Sequence, residues 1–260
     1  MTTSTPPLPA MAGVSARNYA DAVRPLLDGL LAQTDDLARA ADLIADSLRA
    51  GGVLQAFGAG HSAAFAADLV GRAGGLVPTN RLDIHDLVLH GDAHRDVLGD
   101  PKLERDPGIA HQIYELARPQ PQDVFVVASQ SGINGSVVEL ASLVKERGHP
   151  LIAVTSVAHT TRVAPRHPSG RRLSDLADVV LDNGAPYGDA LLPTHDGGTV
   201  CAVSSVTAAL LAQLLTAEVV RRFHQLGEVP PIYLSANVPG GDAHNHALES
   251  RYAGRLRRTA

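Results

Sequence analysis

Two strand–loop–helix segments hold the residues of this chain with the clearest chemical capacity. The first runs from the apolar stretch 53–57 into Gly58-Ala59-Gly60-His61-Ser62. The second runs from 123–128 into Ser129-Gln130-Ser131-Gly132-Ile133-Asn134-Gly135-Ser136. Small residues leave the backbone N–H groups of such loops accessible, and a helix N-terminus adds partial positive charge. Each loop therefore predicts an anion site, most simply for a phosphate, and the pair indicates a ligand with a phosphate on a polyhydroxyl body.

The glycines of the first loop are a weak signal by themselves. In a dinucleotide fingerprint the third glycine would fall at Ala63, and Thr79-Asn80 stands where an acidic residue should follow. No Gly-Lys-Ser/Thr sequence marks a P-loop, and none of the 12 histidines has a recognised zinc spacing. We therefore expect neither a cofactor nor a metal. The hydroxyls of the second loop are more specific for phosphate, although an ordinary helix cap is the alternative.

Composition limits the class of protein and its partners. The 260 residues are 45% hydrophobic, which suffices for one large domain with a full core. A net charge of −5 without a basic stripe gives no reason to expect nucleic acid, and arginines 251, 255, 257 and 258 are interpreted as a solvated tail. No apolar run of about 18 residues predicts a membrane span. Cys201 is the one cysteine, so a cytoplasmic protein is expected.

Hydrophobic periodicity predicts an α/β protein with an N-terminal helical arm. Apolar residues recur at helical spacing from 15 to 50, with 33–35 as the candidate position for a break, and Gly51-Gly52 ends the pattern. Strands that are uniformly apolar and separated by helices then predict a parallel sheet covered on both faces, a three-layer αβα doubly wound fold. The loops that begin at residues 58, 129, 156 and 204 all leave the carboxyl ends of strands, where ligands bind in such sheets.

The predicted organisation has four parts: a disordered tail (1–14), a helical arm (15–50), the α/β domain (51–235) and a C-terminal segment (236–260). The segment 81–107 has no clear periodicity and is expected to be a binding loop or lid. The other predicted elements are helices over 62–73, 107–117, 135–147 and 204–223, and strands over 76–79, 124–128, 151–155, 179–181 and 199–203.

The two loops together resemble the sugar isomerase (SIS) domain, a flavodoxin-like phosphosugar-binding module, over residues 50–225. Three further stretches are similar to a group of uncharacterised bacterial SIS proteins related to phosphoheptose isomerases. These stretches are 72–76 (Arg-Ala-Gly-Gly-Leu), 182–189 (Asp-Asn-Gly-Ala-Pro-Tyr-Gly-Asp) and 235–245 (Ser-Ala-Asn-Val, then Gly-Gly-Asp-Ala-His-Asn). The resemblance implies that the phosphate is held by Ser129, Ser131, Gly132, Asn134 and Ser136, with Ser204 and Ser205 at the start of the long helix.

The resemblance also implies a catalytic base for proton transfer between C1 and C2 of the sugar. In phosphoheptose isomerases a glutamate precedes a Leu-x-Gly-Arg segment, and Asp68 stands at the matching position here, one methylene shorter. An ion pair with Arg72 is the alternative role for Asp68. Those isomerases also have a histidine on the last long helix, sometimes metal-binding, whereas this chain has Glu218 there. Glu218 is therefore a further candidate base, with an ordinary helix charge as the alternative.

Several other residues are candidates for the sugar site. His61 and His244 are the candidate acid partners of the base, and His244 could act in a neighbouring subunit, since SIS sites are commonly completed that way. His85 lies in the irregular segment, where an exposed loop histidine is the simpler interpretation. The remaining sugar-binding candidates are Gly58, Gly60, Ser62, Asn183, Tyr187 and Asp189.

Three functions remain open from the sequence. The resemblance implies first an aldose–ketose sugar-phosphate isomerase that works through an enediol, in a homodimer or homotetramer. A second possibility is another SIS enzyme, either a lyase that cleaves the ether of N-acetylmuramic acid 6-phosphate or an amino-sugar-phosphate deaminase. A third is a phosphosugar sensor without catalysis, although the N-terminal helices are too short and too little basic for the helix-turn-helix domain of such regulators.

Overall fold

A parallel five-stranded sheet forms the centre of the molecule. The computed structural model describes residues 13–257. The strand order is β2-β1-β3-β4-β5, and every neighbouring pair is parallel. The strands are β1 (Leu54–Gly58), β2 (Thr79–Leu82), β3 (Val124–Ala128), β4 (Leu151–Thr155) and β5 (Val179–Asp182). Every residue of the three central strands is buried, which explains why their sequences are mostly apolar.

Helices cover both faces of this sheet, so the predicted three-layer αβα fold is confirmed. One apolar core joins the sheet to α2, α3 and α8, and the other joins it to α5 and α6. The helices are α1 (Ala16–Leu31), α2 (Thr34–Arg49), α3 (Ala63–Leu69), α4 (Asp86–Leu89), α5 (Gly108–Ala117), α6 (Gly135–Glu146), α7 (Val157–Thr160), α8 (Ser204–Gln225) and α9 (Gly241–Glu249).

The N-terminal helical segment is part of the core layer. The helix breaks at 32–33, and α2 packs along α8 with Ala40, Ala41 and Ile44 fully buried. At the break, Gln33 donates from Nε2 to the Asp182 carbonyl (2.7 Å) and accepts from the Asp182 N–H (2.8 Å). The apolar face of α2 is therefore buried within its own chain. Most of the predicted disordered tail, 1–14, lies outside the described residues.

Two predicted boundaries around β2 were wrong. The helix expected over 62–73 ends at Leu69, because Gly71 adopts φ +69°, outside helical geometry. The strand expected over 76–79 begins only at Thr79, since Pro78 has no N–H to donate to a ladder. Leu76 instead forms an isolated bridge with Ile232. The shift places residue 83, rather than 80, just beyond the carboxyl end of β2.

The strand predicted over 199–203 is present, but the expectation that it joins the parallel sheet was wrong. It is β7 (Thr199–Ala202), which pairs antiparallel with β6 (Ala190–Pro193) outside the main sheet. Parallel pairing with β5 would need a crossover of a dozen or more residues, usually a helix, whereas the chain between β5 and β7 forms the hairpin instead. All four β7 residues are exposed.

The C-terminal segment folds back onto the same chain. In α9, Glu249 accepts a hydrogen bond from the Tyr233 hydroxyl. Arg255 forms an ion pair with Asp123, which is fully buried below β3. The interpretation of the C-terminal arginines as a solvated tail was therefore wrong for Arg255 and for Arg257, whose side chain is largely buried. No helix in the part of the chain that the structure describes is long and apolar enough to cross a membrane.

Candidate functional site

A polar cleft opens at the carboxyl edge of the sheet, where the loops after β1, β3 and β5 meet the N-terminus of α8. Loops at this edge converge because all five strands are parallel. The cleft places residues from four distant segments of the chain together, as the sequence predicted for its two anion loops. The polar residues that line it are His61, Ser62, Ser129, Gln130, Asn183, Ser204 and Ser205.

The loop after β3 is held in a fixed turn. The Ser129 hydroxyl oxygen accepts a hydrogen bond from the Gly132 N–H (3.1 Å) and keeps its own proton for another acceptor. Gly132 has φ +64°, and a Cβ there would lie 3.1 Å from the hydroxyl oxygens of Thr155 and Thr160. Glycine is therefore required at 132 both by the backbone angle and by the space.

Gln130 has an unused hydrogen-bond donor beside the cleft. Its Oε1 accepts a hydrogen bond from Asn183 Nδ2 (2.6 Å), and this contact fixes which way the amide points. Asn183 is itself held, because its Oδ1 accepts from the Ala185 N–H (3.0 Å). The Gln130 Nε2 is buried and has no hydrogen-bond partner among the described residues. A buried N–H without a partner is costly, so a bound oxyanion would stabilise this site.

The N-terminus of α8 is already occupied by a carboxylate. Asp189 accepts from the backbone N–H groups of Val203 (3.1 Å) and Ser204 (2.7 Å), and its second oxygen accepts from the Ser204 hydroxyl (2.7 Å). Asp189 is thus the cap of α8, and the donors of Ser204 are engaged with it. Ser205 lines the same cleft, and no described hydrogen bond involves its hydroxyl.

Removal of this cap is expected to destabilise the fold. Asp189→Ala should lower the free energy of unfolding by about 1–2 kcal/mol, because α8 loses its N-terminal acceptor. Asp189→Asn should cost less, since asparagine tolerates the observed φ of +72° and keeps one acceptor oxygen. Urea unfolding of the three proteins measures the difference. Equal stability of Asp189→Ala and the parent chain would contradict the capping role.

A carboxylate that the sequence analysis did not single out lies between the two predicted anion loops. Glu104 Oε1 accepts a hydrogen bond from Asn134 Nδ2 (3.0 Å), and a Cβ placed on Gly60 would lie 3.1 Å from Glu104 Oε2. The Ser136 hydroxyl donates to the Glu104 carbonyl (2.6 Å). The start of α6 therefore positions both the backbone and the side chain of Glu104 beside the loop after β1.

Glu104 shares a cavity with an aspartate–histidine pair that follows β2. His85 Nδ1 lies 2.6 Å from Asp83 Oδ1, which also accepts the His85 backbone N–H (3.0 Å). Arg81 contacts the other oxygen of Asp83. Burial raises the pKa of the Asp83 carboxyl, but the donors of His85 and Arg81 outweigh it and hold that pKa below its usual value. An ionised Asp83 favours the proton on Nδ1, which leaves His85 Nε2 as the atom able to exchange a proton.

Three of the predicted catalytic residues lie away from the cleft. Asp68 forms an ion pair with Arg72 one helical turn on, as in the alternative interpretation. Glu218 pairs with Arg221, and at 1.5 Å per residue it lies about 21 Å along α8 from Ser204. His244 Nε2 lies 2.9 Å from the Ile232 carbonyl oxygen and holds α9 in place. Of the four catalytic candidates, only His61 lines the cleft in a single chain.

The other predicted ligand residues divide between the cleft and its surroundings. Gly58 and Gly60 line the neighbouring cavity with Glu104. Ser131 is half-buried in the loop after β3, whereas Ser136 is fully buried and bonded to the backbone. Tyr187 is 53% exposed and stacks on His159 with ring centroids 5.1 Å apart. Among residues 13–257, no group of three or more histidine, cysteine, aspartate or glutamate side chains is arranged to hold a metal ion.

Sequence reasoning missed Glu104, Gln130 and the Asp83–His85 pair as a unit. Gln130 was visible inside the predicted loop, but its free donor depends on the contact with Asn183, 53 residues away. The signal for Glu104 was its place in the irregular segment 81–107, which was expected to be functional without any residue being chosen.

Comparison with known proteins agrees with this geometry. The family model for the SIS domain matches residues 18–156. The UPF0309 protein lmo0025 of Listeria monocytogenes is 38% identical over 228 residues, covering 86% of this chain and 91% of the relative. The chain also resembles two solved structures in fold.

The first of these structures is phosphoheptose isomerase GmhA from Neisseria gonorrhoeae, with TM-score 0.51 and 21% identity over 78% of this chain and 95% of that chain. The second is the Vibrio vulnificus NanR protein complexed with ManNAc-6P, with TM-score 0.52 and 17% identity over 83% of this chain and 66% of that chain. At these identities the likeness concerns the fold.

Proposed function

The chain belongs to the SIS domain family of phosphosugar-binding proteins, and from that premise we propose that it is an aldose–ketose isomerase of a sugar phosphate. The phosphate binds in the cleft between the loop after β3 and α8. The sugar extends past the loop after β1 toward Glu104. The relatives of known fold are named as an isomerase and as a protein that binds ManNAc-6P, and both descriptions accord with a phosphosugar ligand.

One observation carries this proposal: the buried, unpartnered Nε2 of Gln130 in a cleft that also holds the hydroxyls of Ser129 and Ser205. Neutral donors that converge in a partly dry cleft suit an oxyanion, because the low local dielectric strengthens each hydrogen bond. The cleft also lies beside the N-terminus of α8, whose partial charge attracts anions. Asp189 neutralises part of that charge, so the hydrogen-bond donors of Gln130 and the serines provide most of the recognition of the phosphate.

Glu104 is the proposed base. Isomerisation requires removal of the proton next to the carbonyl, formation of an enediol, and return of the proton to the neighbouring carbon. Glu104 Oε2 faces the loop after β1, while Asn134 holds Oε1 and so orients the carboxylate. With its ring positioned by Asp83, protonated His85 is the proposed proton donor to the carbonyl oxygen, and it takes a proton back from the neighbouring hydroxyl as that oxygen becomes the new carbonyl. Atoms balance within the substrate, so no co-reactant is needed.

Phosphate recognition can be tested separately from catalysis. Titration calorimetry with sugar 6- and 7-phosphates should show binding that the corresponding free sugars lack. Gln130→Glu should weaken it by about 10- to 100-fold, because the change replaces the donor by an anionic oxygen while an acceptor for Asn183 remains. Gln112→Glu on the exposed side of α5 adds the same charge at a distance and is the matched control. Equal binding by both variants would refute the phosphate site.

If a sugar phosphate binds but is not isomerised, what happens to the bound sugar distinguishes the alternative functions. A sugar phosphate that binds without proton exchange or conversion favours the sensor. Release of lactate or ammonia favours the lyase or the deaminase. We further propose that the protein is a cytoplasmic homodimer or homotetramer, because the sites of SIS-domain proteins are commonly completed by a neighbouring subunit. Analytical ultracentrifugation tests the assembly.

A further inference from the structure

A second polar cavity lies near the amino end of the sheet, away from the cleft. Gln55 stands second in β1, and Arg118 and Gln120 precede β3. The C-terminal segment closes the cavity with Arg255 and Arg257, and His90 completes its polar lining. Three guanidinium groups thus come together from two separate parts of the chain. None of these residues belongs to the phosphate cleft described above.

The positive charge of this cavity is incompletely balanced. Arg255 is satisfied by Asp123 and by the Gly51 carbonyl. Arg257 Nη1 lies 3.5 Å from Asp86 Oδ2, yet neither of its buried Nη atoms has a hydrogen-bond partner among the described residues. The side chain of Arg118 forms no described hydrogen bond or ion pair. Burial lowers the pKa of the Arg257 guanidinium, Asp86 raises it, and the nearby charge of Arg118 lowers it again.

The backbone at Arg118 is also unusual. It caps α5 with φ +48° and ψ +51°, a left-handed conformation in which glycine or asparagine is normally found at a helix end. An arginine here accepts a strain of about 1 kcal/mol or more. Arg118 therefore lines the same cavity as the other two arginines despite this backbone strain.

Gln55 supplies an independent indication of a ligand. This side chain is only 1% exposed, and its Nε2 donates to Asp123 Oδ2 (2.9 Å). That bond fixes the orientation of the amide, so the remaining atom is the Oε1 acceptor. Gln55 Oε1 is buried without a hydrogen-bond partner among the described residues. The cavity therefore has an unpaired acceptor at Gln55 beside the positive charge of the arginines.

We propose that this cavity is a second anion site, for a phosphate group that retains one O–H. The anionic oxygens pair with Arg118 and Arg257, and the P–O–H group donates to Gln55 Oε1. Near pH 6 inorganic phosphate retains at least one O–H, and a phosphate monoester, whose second pKa is about 6, retains its O–H in about half of the molecules. Sulfate has the charge and shape but no proton to donate. The site does not depend on the proposed isomerase function.

The test is a titration of the full chain at pH 6, followed by two-dimensional ¹H–¹⁵N spectra. Inorganic phosphate and glucose 6-phosphate are compared with sulfate at equal ionic strength. We expect saturable shifts of the Gln55 side-chain amide and the Arg118 backbone amide, with phosphate bound about tenfold more tightly than sulfate or better. The tighter of the two phosphate ligands shows whether the free ion or a monoester is preferred. The Gly132 amide reports the cleft separately.

Arg118→Asn is the informative variant, because asparagine accepts the left-handed backbone and only the charge is lost. It should weaken phosphate binding at Gln55 by about tenfold or more and leave the shifts of Gly132 unchanged. Chemical-shift changes that do not saturate and that sulfate also produces would overturn the proposal. An unchanged affinity of Arg118→Asn for phosphate would also overturn it. If the Gly132 amide alone shows no shift with the phosphate ligands, the phosphate cleft is refuted and the second site stands. The two failures are therefore distinguishable.

Discussion

Glu104→Gln is expected to slow proton exchange at the carbon next to the sugar carbonyl by about 10²- to 10⁴-fold, the range typical of a lost general base. Glutamine keeps the shape of the side chain and can still contact Asn134, which holds the carboxylate now. Binding of the sugar phosphate should change little, because Glu104 does not line the phosphate cleft. The measurement is deuterium incorporation from D₂O under saturating ligand, with calorimetry for affinity.

Asp68→Asn is the matched comparison for this prediction. It also removes one carboxylate, at the position that the family resemblance implies for the base, but Asp68 is paired with Arg72. We expect Asp68→Asn to retain most of the exchange rate. The reverse pattern, with Asp68→Asn inactive and Glu104→Gln active, would contradict the assignment and indicate that Asp68 acts from a neighbouring subunit.

Gly135→Ala is expected to reduce activity by about 10²-fold without removing any chemical group, since displacing a reacting group by about 1 Å can cost that much. Gly135 opens α6, and a Cβ there would lie 2.1 Å from the Arg105 carbonyl oxygen. The turn that contains Glu104 would have to move away from α6. Overpacking of this kind should also lower the free energy of unfolding by roughly 1–3 kcal/mol.

Gly29→Ala is the control, because it makes the same substitution in a helix with no atom within 4 Å of the new Cβ. That change should stabilise the protein by about 0.4–1 kcal/mol and leave activity unchanged. Urea unfolding and the exchange assay together compare the two variants. If Gly135→Ala and Gly29→Ala had the same stability and the same activity, the position of Glu104 would not depend on close packing against α6.

The layered fold was predictable because its signals are local. The five residues of β3 and the first four of β4 are apolar, and both strands lie between helical patterns, which is enough to predict a buried parallel strand. The β2 boundary was missed because Pro78 and the bridge of Leu76 to Ile232 decide it, and the second of these depends on a residue far along the chain.

The site was only partly predictable, for a related reason. Loops at the carboxyl ends of β1 and β3 could be expected to converge, and Ser129, Ser62 and His61 do line the same cleft. Glu104 could not be chosen among the acidic residues of its irregular segment, because its position depends on packing against Gly135 and Ser136. The engagement of Ser204 with Asp189 likewise depends on a hairpin that the sequence pattern did not reveal.

The most direct measurement of the central claim is NMR of a panel of hexose, heptose and amino-sugar phosphates incubated with the protein in D₂O. The account predicts that at least one member gains deuterium at C1 or C2 and converts between its aldose and ketose forms, and that Glu104→Gln slows both changes by about 10²- to 10⁴-fold. Binding of the panel without deuterium entry or conversion would contradict the isomerase and leave phosphosugar recognition as the function of the cleft.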